Sequence, residues 1–141
     1  MIGSDRNFVD TNIFVYAHLD NELEKYGKAK FLFENILMGK KVIISVQVVN
    51  EFYSAMSRYK YSHGEIVKIV GEISVRANIR NISFDTSKKA FYIRDKYQYS
   101  WWDSLVLASA LENDCKIIYS EDMQDGQIIE NTLKIVNPFA G

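Results

Sequence analysis

Four acidic residues stand where an α/β sheet gathers reactive groups: Asp10 in NFVDTN, Glu51 in VVNEF, Asp103 in WWDSL and Asp122 in IIYSED. Phe8 and Val9 lead into Asp10, and the run 116–119, with its paired isoleucines, leads through Ser120 and Glu121 to Asp122. Both runs read as buried strands. Acids just beyond the carboxyl ends of parallel strands lie in the crevice where ligands collect, outside the packing core. Glu51 falls on a helix that Ser45 can cap, and Asp103 opens an apolar-periodic run through Leu105, Leu107, Ala108 and Leu111.

Carboxylates gathered within a few ångströms repel one another, and each raises the cost of ionising the next unless a cation intervenes. The four acids therefore look like an oxygen-only site for Mg²⁺ or Mn²⁺. Zinc usually recruits His or Cys, and His18, His63 and Cys115 show no ligand spacing. A divalent cation held by carboxylates acidifies and orients water and offsets charge that develops on a phosphoryl oxygen, so phosphodiester hydrolysis is the natural reaction. Each acid also has a plainer account when read alone. Asp10 could be a turn acid ahead of a helix, Glu51 an exposed helical residue, and Asp103 a complement to a helix dipole. Asp125 reads best as a loop-shaping residue before Gly126.

The elements that must position these groups alternate along the chain. Strands are expected at 7–10, 42–45, 116–119 and 133–136, with a short extended piece near 80–84. Helices are expected at 12–19, 23–38, 46–60, 63–77, 87–97 and 103–113. Ser62 with Glu65 makes a capping box, Asp85 or Thr86 can cap the following helix, and Gly39 can close the helix ending at Met38. Strands alternating with helices through right-handed crossovers imply an α/β fold with a mostly parallel central sheet between helical layers.

Composition sets the outer limits. With 141 residues, 48% of them apolar, the chain can bury a core as one domain. The net charge of −1 gives no global attraction to nucleic acid or membrane, so a polyanion would need a local basic patch. The lone Cys115 forms no internal disulfide and the start lacks a secretory pattern, which points to the cytoplasm. The apolar run 42–49 is broken by Ser45 and Gln47 and is far too short to span a bilayer.

In order along the chain, FVDTNIFVYA, VVNEF, WWDSLVLASAL and IIYSEDMQDGQ followed by IVNPF resemble the four motifs and tail of the PIN domain, a Rossmann-like nuclease family that includes VapC-like toxins of toxin–antitoxin pairs. The resemblance spans nearly the whole chain and implies a single PIN-like domain over 1–141. It makes Asp10, Glu51, Asp103 and Asp122 the acidic constellation, with Asp10 and Asp103 the direct metal ligands. Thr11 and Asn12 would hold the loop around Asp10, and Ser120 stands where the family often has Thr. Glu121 and Asp125 compete with Asp122 for the fourth role, and Asp122 is preferred. The implied activity is a Mg²⁺- or Mn²⁺-dependent endoribonuclease acting on RNA. The implied partners are a cognate antitoxin and a second copy of the chain.

Two other enzyme classes also place an Asp after the first strand. Aspartyl-phosphate phosphatases need a second Asp two residues on, where this chain has Asn12, and a receiver domain needs adjacent early acids and a late Lys that have no counterpart here. The non-enzymatic alternative is an inactive PIN-like module that binds RNA or protein. Trp101 and Trp102 beside Asp103 suggest one buried ring and one exposed near the acids, where a base could stack. The basic–aromatic stretch RYKYSH over 58–63 reads mainly as solvated surface.

Overall fold

The computed structural model describes residues 6–140. Its elements are β1 (Arg6–Val9), α1 (Thr11–Tyr16), α2 (Leu23–Phe31) running into a π-helical turn (Leu32–Ile36), β2 (Lys41–Ser45), α3 (Val46–Arg58), α4 (His63–Arg76), β3 (Ala77–Arg80), α5 (Phe84–Tyr97), α6 (Trp101–Glu112), β4 (Ile117–Tyr119), β5 (Ile128–Ile129) and β6 (Leu133–Val136). Phe8 and Val9 in β1, and Ile43 and Ile44 in β2, are buried one after another without alternation. That pattern belongs to strands covered on both faces. The sheet is six-stranded in the order β3-β2-β1-β4-β6-β5, parallel except for the β5–β6 pair. This is the expected α/β architecture.

The strand order fixes where a site can form. From β1 the chain lays β2 and β3 on one side, then returns to place β4 and β6 on the other. Phe8 sits in register with Ile43 on one flank and Ile118 on the other. The order therefore reverses at β1, and a crevice opens beyond the carboxyl ends of β1 and β4. Phe8, Ile13, Phe52, Met56, Leu107 and Ile118 are almost wholly enclosed in the core.

Several expected boundaries moved, for identifiable reasons. Helix α4 stops at Arg76, and the extended piece expected near 80–84 is β3 at Ala77–Arg80, because these residues pair with Val42–Ser45 of β2. Sheet pairing here overrides helical periodicity. Helix α5 is capped by Ser83 rather than by Asp85 or Thr86; Ser83 and Thr86 exchange backbone N–H and hydroxyl bonds of 3.1 and 3.4 Å. The helix expected over 23–38 is α-helical only to Phe31, after which the wider π turn brings Leu32 and Leu37 into the core. Gly39, at φ +77°, then reverses the chain into β2 in a conformation that costs glycine little. The helix expected over 12–19 ends at Tyr16, and the two-residue β5 was not anticipated. The Ser62–Glu65 capping box is present as read. Ser45 occupies the N-cap of α3, but its buried hydroxyl makes no hydrogen bond, since as the last residue of β2 its direction follows the strand. Cys115 is buried, as expected of a small core residue. Among the described residues no helix is long and apolar enough to cross a membrane.

Candidate active site

Asp10 stands immediately after β1, where its backbone N–H reaches the Tyr119 carbonyl at the end of β4 (2.9 Å). It is also the N-cap of α1: Oδ1 accepts the Thr11 N–H at 2.8 Å. Its other oxygen, Oδ2, accepts the Ser120 hydroxyl at 2.9 Å. Both oxygens are thus held, and the residue is only 7% exposed. The Asp-Thr-Asn segment performs the capping role that its composition suggests, and the capping acid is at the same time part of the acidic cleft. Burial, reinforced by the nearby charges of Asp103 and Glu51 and opposed by the Thr11 and Ser120 hydrogen bonds, pushes the Asp10 carboxyl up to about 7.

The other acids arrive from separate elements. Glu51 lies in the middle of α3, with Oε1 accepting the Thr11 hydroxyl at 3.0 Å and Oε2 facing the Gln47 amide at 3.4 Å. Asp103 is in the first turn of α6, whose cap is Ser100; the Ser100 hydroxyl accepts the Asp103 N–H at 3.1 Å. Burial raises the Asp103 carboxyl above its ordinary value, the Ser100 side chain acting on that carboxyl opposes this, and the charges of Asp122 and Glu51 add to the rise. Asp122 lies in the loop after β4, where Oδ2 accepts the Asn12 amide at 3.0 Å and its own N–H reaches the Ser120 hydroxyl at 3.3 Å. Its carboxyl is also raised, first by burial and then by Glu121, with Lys25 and Asn12 working the other way.

Asp10, Glu51, Asp103 and Asp122 line one open cleft of about 340 Å³. Thr11, Asn12 and Ser120 connect three of the carboxylates by hydrogen bonds. Among the described residues, no three Asp, Glu, His or Cys side chains are already drawn together as a preformed ligand cluster. The side chains instead rest on donors from the protein itself, which limits their mutual repulsion. The donor set is entirely hard carboxylate oxygen, and Asp10 and Asp103 have carboxyls whose ionisation a cation would favour. These residues fit Mg²⁺ or Mn²⁺ in their chemistry.

The two rival acids of the 120–125 loop are occupied elsewhere. Glu121 pairs with Lys25, which also lies over the Tyr16 ring, and Asp125 accepts the Asn137 N–H at 2.8 Å. His18 contacts the Phe14 carbonyl and packs against Phe52, and His63 contacts the Tyr53 hydroxyl. Trp101 is partly buried and stacks on Phe91, whereas Trp102 is 59% exposed and borders the acids. Besides Val106 of α6, three cleft residues of α3, Ser54, Ala55 and Arg58, were not recognised as such in the sequence. The three lie three, four and seven positions after Glu51, the spacing of one helical face, and that periodicity was the available signal.

No curated protein sequence matches this chain. Solved structures with the same fold include a toxin–antitoxin complex from Klebsiella pneumoniae, with a TM-score of 0.68 and 21% identity over 94% of this chain and 97% of that one. Another is VapC20 of Mycobacterium tuberculosis, a sarcin–ricin loop cleaving toxin, with a TM-score of 0.65 and 19% identity over 79% of this chain and 86% of that one. A third is VapBC2 of Rickettsia felis bound to a DNA fragment from its promoter, with a TM-score of 0.64 and 18% identity over 94% and 99%. The family model for the PIN domain matches residues 8–124, from within β1 to just past Asp122. That match covers most of the sequence and takes in all four strand-end and helix acids, and by it the chain belongs to the PIN domain family.

Proposed function

We propose that this protein is a divalent-metal-dependent endoribonuclease that hydrolyses RNA phosphodiester bonds and is the toxin of a toxin–antitoxin pair. One observation carries the reading: four carboxylates from four separate segments meet in one cleft at the point where the strand order reverses. Among them Asp10 is buried and charge-crowded enough to stand near 7. Acids that share one cleft are costly to ionise together without a cation and useful around one.

Asp10 and Asp103 would be the direct protein ligands, with Glu51 and Asp122 completing the oxygen set. When bound, Mg²⁺ or Mn²⁺ would neutralise the crowded acids, activate and orient water, and offset charge on the phosphoryl oxygens. The protein's own contribution is positional. Thr11 and Ser120 hold the Asp10 carboxylate, Thr11 also steadies Glu51, and Asn12 steadies Asp122. Glu51 or the exposed Asp122 would accept the proton of the attacking water and pass it to solvent.

The antitoxin partner is supported by the toxin–antitoxin complexes among the structures of like fold. Assembly with a second copy of the chain and action in the cytoplasm belong to the same proposal. The test is cleavage of end-labelled total cellular RNA by the purified protein in Mn²⁺, Mg²⁺ or EDTA, alongside Asp10→Asn and Asp103→Asn. Discrete fragments that require metal and fall at least 100-fold in both variants are expected. Absence of both cleavage and calorimetric metal binding in the wild type would leave an inactive binding module instead.

A further inference from the structure

The cleft has two ends, and they differ chemically. Helix α3 forms one wall, presenting Glu51, Ser54 and Arg58 along a single face. The first turns of α6 form the opposite wall through Trp102 and Asp103. The Gln47 amide donates to the Trp102 carbonyl at 3.2 Å, which places Trp102 beside the N-terminal end of α3. Arg58 closes the C-terminal end of the same helix. At about 1.5 Å of rise per residue, the eleven positions from Gln47 to Arg58 span roughly 16 Å, with the Glu51 carboxylate between them.

Both end side chains are without a partner among the described residues. Arg58 is the one cation among the described residues lining this cleft, and its guanidinium makes no ion pair or hydrogen bond with any of them. The Trp102 ring stacks on no described aromatic neighbour, in contrast to Trp101, which is taken up by Phe91. A polyanion entering a cleft of four carboxylates needs a compensating cation, and an exposed indole face is a sequence-tolerant platform for an unpaired base.

We propose that Trp102 and Arg58 grip single-stranded RNA at opposite ends of the acidic cleft: Trp102 stacks a base on one side of the scissile bond, and Arg58 pairs a backbone phosphate on the other. This inference rests on the ribonuclease reading and adds the two residues that hold the strand and the path it takes along α3. A regular duplex is excluded because its bases are stacked on one another and offer no free face to Trp102.

The test uses the full chain, in EDTA to prevent cleavage, with a fluorescein-labelled single-stranded RNA of mixed sequence and the same RNA annealed to its complement. Binding is followed by anisotropy and, with unlabelled RNA, by quenching of tryptophan emission. Quenching by single-stranded RNA is expected to persist in Trp101→Phe and vanish in Trp102→Phe, while Trp102→Ala weakens binding about tenfold. Arg58→Ala is expected to reduce the slope of log K against log salt by about 0.7, as loss of one single-strand phosphate contact should, and Arg58→Lys to restore it. Quenching that survives Trp102→Phe, an unchanged salt slope in Arg58→Ala, or equal affinity for duplex would overturn the proposal. The metal-dependent cleavage assay separates the two readings. Wild-type cleavage with unchanged KM in both variants removes the grip and leaves the nuclease, whereas quenching at Trp102 without cleavage removes the nuclease and leaves the grip. A wild type that neither cleaves nor binds removes both.

Discussion

At the residue scale, Asp10 is a buried acid whose ionisation the fold opposes. Its carboxyl is ordinary in the unfolded chain, near 3.8, and stands near 7 when folded. Below pH 4 it is protonated in both states; between 3.8 and about 7 only the unfolded chain releases the proton, so this residue's contribution to stability falls as pH rises. Above about 7 the loss is complete. At roughly 1.4 kcal/mol per pH unit across that window, the ionised carboxylate costs the fold on the order of 4 kcal/mol at most. In EDTA, Asp10→Asn is therefore expected to resist urea better than the wild type, with a gap that widens from pH 5 to pH 8. A gap independent of pH would contradict the assignment of that burial cost. Added Mn²⁺ should stabilise the wild type at pH 8 and leave the variant unmoved. Asp125 makes the contrasting case. Its bond to the Asn137 N–H ties the segment after β6 to the loop that carries Asp122. Asp125→Ala is expected to lower thermal stability by about 1 kcal/mol while keeping most RNA cleavage, and loss of cleavage with metal binding abolished would place Asp125 among the ligands.

At the element scale, the capping boxes separate folding from chemistry. Ser62 and Glu65 satisfy each other's backbone N–H groups at 3.1 and 2.8 Å, outside the cleft lining. Ser62→Ala is expected to cost about 1 kcal/mol, roughly 3 °C in Tm, with RNA cleavage unchanged in a thermal melt and cleavage assay run together. Elements with a strong local signal were legible in the sequence: β1 and β2 from uninterrupted apolar runs, α4 from its cap, α6 from its apolar period. Boundaries and short elements set by pairing or packing with little local signal were displaced or missed. Strand β3 exists because 77–80 lies against β2, and β5 because Ile128 and Ile129 find Lys134 and Leu133 across a turn. The π-helical turn at Leu32–Ile36 likewise answers to the core it fills. The same division holds at the cleft. Each acid borders a recognisable apolar run, so their meeting could be expected. The place of Arg58 depends on which face of α3 turns inward, and its neighbours in RYKYSH favoured a solvated surface.

At the scale of the whole molecule, sequence distance is the controlling quantity. The central strand β1 is flanked by β2 and by β4, and the latter pairing joins Asn7 to Ile117. The cleft likewise joins position 10 to position 122, with α3 and α6 contributing between them. Contacts of this reach form late, since the intervening chain must be closed before they give any return. A chain truncated after Glu112 retains Asp10, Glu51 and Asp103 but lacks β4, β6, Ser120 and Asp122. It is expected to give no metal-dependent RNA cleavage and no cooperative melting transition, whereas a sharp transition would show that the first three strands fold alone. The strand order therefore has a meaning in time as well as in space. A ribosome making this protein is surrounded by the very class of molecule the finished enzyme is proposed to cut. Because β4 enters the sheet between strands made first and last, the acids cannot assemble on a half-made chain. On the proposed reading, RNA cleavage would begin only after synthesis has passed β4 and Asp122, and a message interrupted before that point would yield fragments without that activity.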